Sequence, residues 1–229
     1  MKFRITIFST IAILLTIGVQ AQKGQLRGGI NFANVSVTDN GRVDDANMLT
    51  SFQLGLVGDV KLGGPVYFQP GVLFSGKGSK VQRGNAGSNG YFKQTFNPYY
   101  IEVPATVIFK LPIGGGGKFF AGAGPYLGIG VGGKVKTEGQ TLVGNYNRER
   151  NITFSDDDPT TLSDEEGAGF GIVKRFDYGL NGTAGIEGKS MVLSANYGLG
   201  LAKLQSGSNN SVDNNNKHRI LSFTLGFKL

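Results

Sequence analysis

The last nine residues constrain the chain more than any others. Leu221, Phe223, Leu225, Phe227 and Leu229 are apolar, and the interleaved Ser222, Thr224, Gly226 and Lys228 are small or polar. A strict period of two marks a β-strand with two unlike faces. The pattern recurs along the chain. Tyr99, Ile101, Val103, Ala105, Val107 and Phe109 alternate with Tyr100, Glu102, Pro104, Thr106, Ile108 and Lys110. From Phe119 an apolar face opposes one that is nearly all glycine, Gly122, Gly124, Gly128, Gly130 and Gly132, with Tyr126 among them. From Arg175 and from Met191 two further segments alternate in the same way. Segments 26–37, 51–62 and 66–75 repeat it less cleanly, the last interrupted by Pro70, which removes a ladder donor.

Eight strands alternate with connections of two kinds. Short ones fall at Gly63-Gly64, Leu111–Gly117 and Gly188-Lys189, and long ones at 38–48, 76–95, 134–168 and 205–216. Short and long connections therefore lie at opposite ends of the sheet, as in outer-membrane barrels. The expected fold is all-β: an eight-stranded antiparallel up-and-down transmembrane β-barrel. In lipid every backbone polar group needs a partner, so the sheet must close. Eight strands leave a lumen wide enough only for side chains. Charges on the polar faces then need partners inside it. The candidate acids are Asp59, Glu102, Asp177 and Glu187, and the candidate bases are Arg27, Lys61, Lys110 and Arg175. They predict an ion-pair plug. The glycine-rich face leaves room for neighbours such as Arg175 or Tyr100. A soluble lipocalin-type barrel is the competing reading and would turn the alternation inside out. Against it, the polar face is rich in glycine and poor in charge.

Composition agrees. Glycine fills 38 of 229 positions, and 16 Phe and 8 Tyr argue against disorder. With no cysteine, a disulfide scaffold, a thiolate metal site and a lipid-anchored cysteine are excluded.

The N-terminus reads as a secretory signal: Lys2 and Arg4, an apolar run from Ile5 to Val19, and the small-x-small Val19-Gln20-Ala21. Cleavage after Ala21 divides the chain into a signal peptide, 1–21, and a barrel domain, 22–229. Losing Lys2 and Arg4 lowers the formal charge of +7 by two, too mild for nucleic acid as a partner. Both termini are expected on the periplasmic, short-turn side of a Gram-negative outer membrane, with the long loops extracellular.

Tyr99-Tyr100-Ile101-Glu102-Val103-Pro104, Ala121-Gly122-Ala123-Gly124-Pro125-Tyr126-Leu127-Gly128 and Lys174-Arg175-Phe176-Asp177-Tyr178-Gly179-Leu180 carry a resemblance, as do Gly28-Gly29-Ile30-Asn31-Phe32 and the Val-Gln-Ala-Gln signal end. Together they resemble the Bacteroidetes outer-membrane β-barrel family called PorT-like, over nearly the whole mature chain. The resemblance says little about function, and most members of that family have no assigned activity. Taken whole, the chain is expected to be a non-enzymatic envelope protein without a cofactor, structural, adhesive or accessory to a larger complex. A few relatives serve type IX protein secretion. The terminal Leu229 departs from the Phe usual in outer-membrane proteins, so Phe227 is the candidate signal for the insertion machinery.

Other chemistry is thin. His218, near Asp213 and Ser211, is a candidate rim catalyst, but a solvated histidine in an Asn-rich tract is the simpler reading, and no G-x-S-x-G pattern appears. Gly128–Gly133 matches G-x-G-x-x-G by letter but opens no helix, and Gly188-Lys189-Ser190 reads as a turn. Asp156, Asp157, Asp158, Asp164 and Glu165 supply hard oxygens for Ca²⁺, without EF-hand spacing. A solvated acidic loop is the plainer account. Lys77, Lys80, Arg83 and Arg219 are candidate contacts for lipopolysaccharide phosphates.

Overall fold

The computed structural model describes residues 23–36, 48–141, 144–155, 171–204 and 217–229. The expected signal peptide and the acidic stretch 156–166 lie outside them. Among the described residues twelve strands follow in order: β1 (Lys23–Ser36), β2 (Leu49–Gly63), β3 (Val66–Gly76), β4 (Ser79–Arg83), β5 (Phe92–Gly114), β6 (Gly117–Thr141), β7 (Gly144–Asn151), β8 (Thr153–Phe154), β9 (Ile172–Val173), β10 (Phe176–Glu187), β11 (Met191–Gly200) and β12 (Lys217–Lys228).

Eight of them form a ring. β1, β2, β3, β5, β6, β10, β11 and β12 pair antiparallel with their neighbours, and β12 pairs back onto β1 from Gln25↔Lys228 to Ser36↔Lys217. No edge is left in the ring, which is the condition for a sheet to sit in hydrocarbon. The short turns follow local chemistry. Between β5 and β6, Gly114 faces Gly117 across Gly115 and Gly116, which have φ of 60° and 79°. Two positive φ values in a two-residue loop give the twist that a hairpin needs, and glycine adopts them without steric cost.

The alternation resolves in one direction. Leu54, Leu56, Phe109, Leu193, Phe223 and Phe227 are exposed on the outside, while Gln53, Asp59, Lys110, Ser194, Ser222 and Thr224 are buried inside. On β2 the outward apolar set runs from Phe52 to Leu62. That length matches the about 9–11 residues of a tilted strand crossing a bilayer. A soluble barrel would carry the opposite polarity.

Parts of two connections expected as long loops, 76–95 and 134–168, are strand. β5 and β6 outrun the ring, and β4 and β7 pair along their flanks to make a four-stranded flange at the long-loop end. The sequence hid this because the flange has polar residues on both faces, so no apolar period marks it. Where the hairpin leaves the ring the ladder shifts between Tyr99 and Tyr100. Gly133 there has φ of 151°, and a β-carbon would lie 2.6 Å from the Pro98 backbone. Such a bulge bends the strand and increases its local twist.

At the same end Val35, Phe96, Val135, Ile152, Val173 and Leu204 form an apolar cluster, with Phe154 packed against it. The short parallel pair β8–β9 supplies three of these side chains: Phe154, Val173 and, just before β8, Ile152. Hydrophobic residues thus cap the mouth of a polar lumen.

Candidate functional site in the barrel interior

The lumen is built in layers. Near the short turns, Lys110 of β5 is ion-paired with Asp59 of β2 and with Glu187 of β10, the latter at 2.5 Å. Glu187 also takes Lys228 at 2.5 Å. Gln69 donates to the second Asp59 oxygen at 2.7 Å, and the Lys110 ammonium lies 4.6 Å from the Tyr67 ring centre. Four strands of the ring and the end of β12 are thereby tied together.

Towards the long-loop end sits a second cluster. Lys77, one residue past β3, is 1% exposed and pairs with both Glu102 and Asp177, the latter at 2.6 Å. Its ammonium lies 4.2 Å from the Tyr126 ring centre and 5.3 Å from that of Tyr100, within cation–π range. The Tyr126 hydroxyl donates to Asp177 at 3.1 Å. His218 meets Tyr100 edge-on at 5.5 Å, and neither imidazole nitrogen has a hydrogen-bond partner among the described residues. Phe154 covers this cluster from above, edge-on to Tyr100 at 6.0 Å. It occupies space left by Gly130, where a β-carbon would stand 2.1 Å from the Phe154 ring.

Between the two clusters lies a polar cavity of about 50 Å³ lined by Arg27, Gln53, Gln69, Thr106, Asn181 and Asn196. That volume accommodates a few waters. Asn31 donates to the Ser75 hydroxyl at 3.0 Å, and Ser194 and Thr224 share a hydrogen bond of 2.6 Å, which cross-links the wall around it.

Set against the sequence, Arg27, Asp59, Glu102, Lys110, Asp177 and Glu187 are all buried in this interior. Lys61 and Arg175 are exposed instead. Lys61 has lumen-facing parity opposite Tyr67, but that row is the last regular one before the β2–β3 turn, so its chain reaches solvent. Arg175 stands one residue outside the β10–β6 ladder, which begins at Phe176↔Ile129. The room on the glycine face goes to Tyr100, as expected, and to Phe154 rather than Arg175. Lys77 is not the loop base for lipid phosphates that its place after Gly76 suggests. It is a central lumen cation, and its signal was its position immediately after an apolar–polar alternation. His218 is not a solvated loop residue: it is 2% exposed on a lumen-facing position of β12. Asp213 and Ser211, its suggested catalytic partners, lie outside the described residues, as do all five candidate Ca²⁺ ligands, Asp156, Asp157, Asp158, Asp164 and Glu165.

A closed ring, an apolar outer wall and a polar filled core are what an eight-stranded barrel in lipid requires. The model of one family, outer membrane protein beta-barrel domain, matches residues 20–206. The chain belongs to this family. Among curated proteins no sequence match is found. Among solved structures the barrel is similar to Ail, the attachment invasion locus protein of Yersinia pestis, at 15% identity over 90% of this chain and 98% of that one, with a TM-score of 0.38. It is also similar to Neisserial surface protein A, at 15% identity over 90% and 97%, with a TM-score of 0.39.

Proposed function

We propose that this outer membrane barrel is a non-enzymatic, non-conducting mount that holds a rigid flange outside the cell, in a structural, adhesive or envelope-accessory role. One observation carries the reading: the interior is closed along its length by two ion clusters and an apolar cap, while the same strands continue beyond the ring as an ordered sheet. Short turns at one end and the flange at the other support periplasmic termini and an extracellular flange. The burial of His218 beneath Phe154 and against Tyr100 keeps it from substrates at the rim. The signal peptide, the insertion role of Phe227 and contact of Lys80, Arg83 and Arg219 with lipopolysaccharide phosphates belong to the same proposal. Its finer form, a PorT-like Bacteroidetes protein serving type IX secretion, rests on the strand motifs of β5, β6 and β10.

Reconstitution in planar bilayers tests it. The expected result is no unitary current under applied voltage, and surface labelling of Lys93 or Lys136 in intact cells. Steady conductance steps, or labelling only after the outer membrane is opened, overturn it.

A further inference from the structure

The flange has two faces of different electrostatic character. Directly opposed residues share a face, so the registers of β4, β5, β6 and β7 sort its side chains into rows. On the face continuing the barrel's outer wall, the rows are Gln82–Lys93–Glu138–Asn147 and Lys80–Thr95–Lys136–Glu149. Here three of the four lysines have a carboxylate partner: Lys93 and Lys136 share Glu138, and Lys134 pairs with Glu149. On the face continuing the lumen side, the rows are Arg83–Phe92–Gly139–Tyr146, Val81–Gln94–Thr137–Arg148 and Ser79–Phe96–Val135–Arg150. This face holds three arginines and no acid in those rows, and none of the three has an ion pair among the described residues.

Arg148 and Arg150 lie on β7, and β7 is the terminal strand of its sheet. Among the described residues it pairs only with β6, from Lys134↔Asn151 to Thr141↔Gly144, and all eight of its residues are exposed. A free strand edge offers backbone donors and acceptors to another strand, and the side chains of that edge decide which strand is accepted. The charges on β7 disfavour pairing with a second copy of itself, because an added β7 would bring further arginines beside Arg148 and Arg150. They favour a strand with carboxylates at alternate positions.

We propose that β7 is a docking edge for an extended acidic segment of a partner protein, which adds as a further strand and places carboxylates at alternate positions beside Arg148 and Arg150. The proposal rests on the flange being displayed outside the cell, and its test is independent of conductance: a conducting barrel would sink the closed mount without touching the edge, and failed docking would leave the mount standing.

The experiment uses the full chain folded in detergent. The probe is a fluorescent nine-residue peptide alternating Glu with Thr, beside its Gln-for-Glu version, a version N-methylated at alternate residues, and dextran sulfate. The expected result is saturable binding of the Glu peptide alone, weakened at least tenfold by the double variant R148E/R150E, with alternate amides of residues 145–151 gaining hydrogen-exchange protection. Retention of the heat-dependent gel shift by the double variant shows that its barrel is intact. Equal binding of the N-methylated peptide or of dextran sulfate without new protection overturns strand addition in favour of a plain polyanion surface. Binding only after Asp156, Asp157 and Asp158 are changed to Asn assigns the arginines to the chain's own acidic stretch and also overturns the proposal, as does no binding at all.

Discussion

The barrel interior and the flange use the same chemistry to opposite effect. In the interior, Lys77 and Lys110 each meet two carboxylates and are at most 4% exposed. In the flange, Lys134 meets Glu149 with side chains 63% and 48% exposed. An exposed pair gains little, because water and salt screen it and two long chains must be held still. A buried pair is different in kind: its charges have already left water, and removing one partner strands the other in a medium that cannot solvate it. The interior pairs therefore lock strands together, whereas the flange pairs only offset part of the positive charge on its outer face.

The largest expected effect is inside. Lys110→Met leaves Asp59 and Glu187 facing each other across the lumen, with Lys228, Gln69 and the charge of Arg27 to compensate in part. Urea unfolding in detergent micelles should show a loss of about 3–5 kcal/mol. The triple variant that also carries Asp59→Asn and Glu187→Gln should recover much of it, since neutral amides do not need the ammonium. No loss for the single change would mean that the plug contributes nothing and that interior and flange pairs are equivalent.

The next effect lies at the boundary between the two regions. Gly130→Ala places a β-carbon where the Phe154 ring stands and should dislodge the cap at about 1–3 kcal/mol, the usual range for overpacking. Hydrogen exchange should rise at residues 152–154 and 172–173 and stay unchanged in β1 and β12. A uniform rise around the ring would show that the cap and wall are one unit.

The smallest effect is in the flange. The Glu149 carboxyl is held below its ordinary range by the hydrogen bond and charge of Lys134, and that of Glu138 by hydrogen bonds from Lys136 and Lys93. A depressed carboxyl stabilises the folded state above its unfolded pKa, and the contribution is lost as pH falls through the lower folded value. Proteolysis of the β5–β6 hairpin should therefore be unchanged from pH 8 to 5 and quicken only below about pH 4. Lys134→Ala at pH 7 should leave unfolding of the barrel unaltered. A flange that loosened near neutral pH would contradict this account of its charges.

The comparison also explains what could be read from the chain. The ring was legible because a wall between lipid and a polar core forces a period of two, as in Leu221 to Leu229. Arg27, Asp59, Glu102, Lys110, Asp177 and Glu187 were legible for the same reason. The flange has water on much of both faces, so nothing imposes a period on residues such as Asn145, Asn147 and Glu149, and they resembled loop. Lys77 and Phe154 lie outside regular ring strands and are placed by tertiary packing against Tyr126, Tyr100 and Gly130. Lys61 and Arg175 had the right parity but stood at strand ends, where the wall no longer confines a long side chain.

The most direct test of the closed barrel is its heat modifiability in purified outer membranes. An unboiled sample is run beside a boiled one on a detergent gel. The account predicts that the protein fractionates with the outer membrane and that the unboiled form migrates differently, because a ring closed by β1 and β12 resists detergent until heated. A single mobility before and after boiling, with the protein recovered in the soluble fraction, would contradict it.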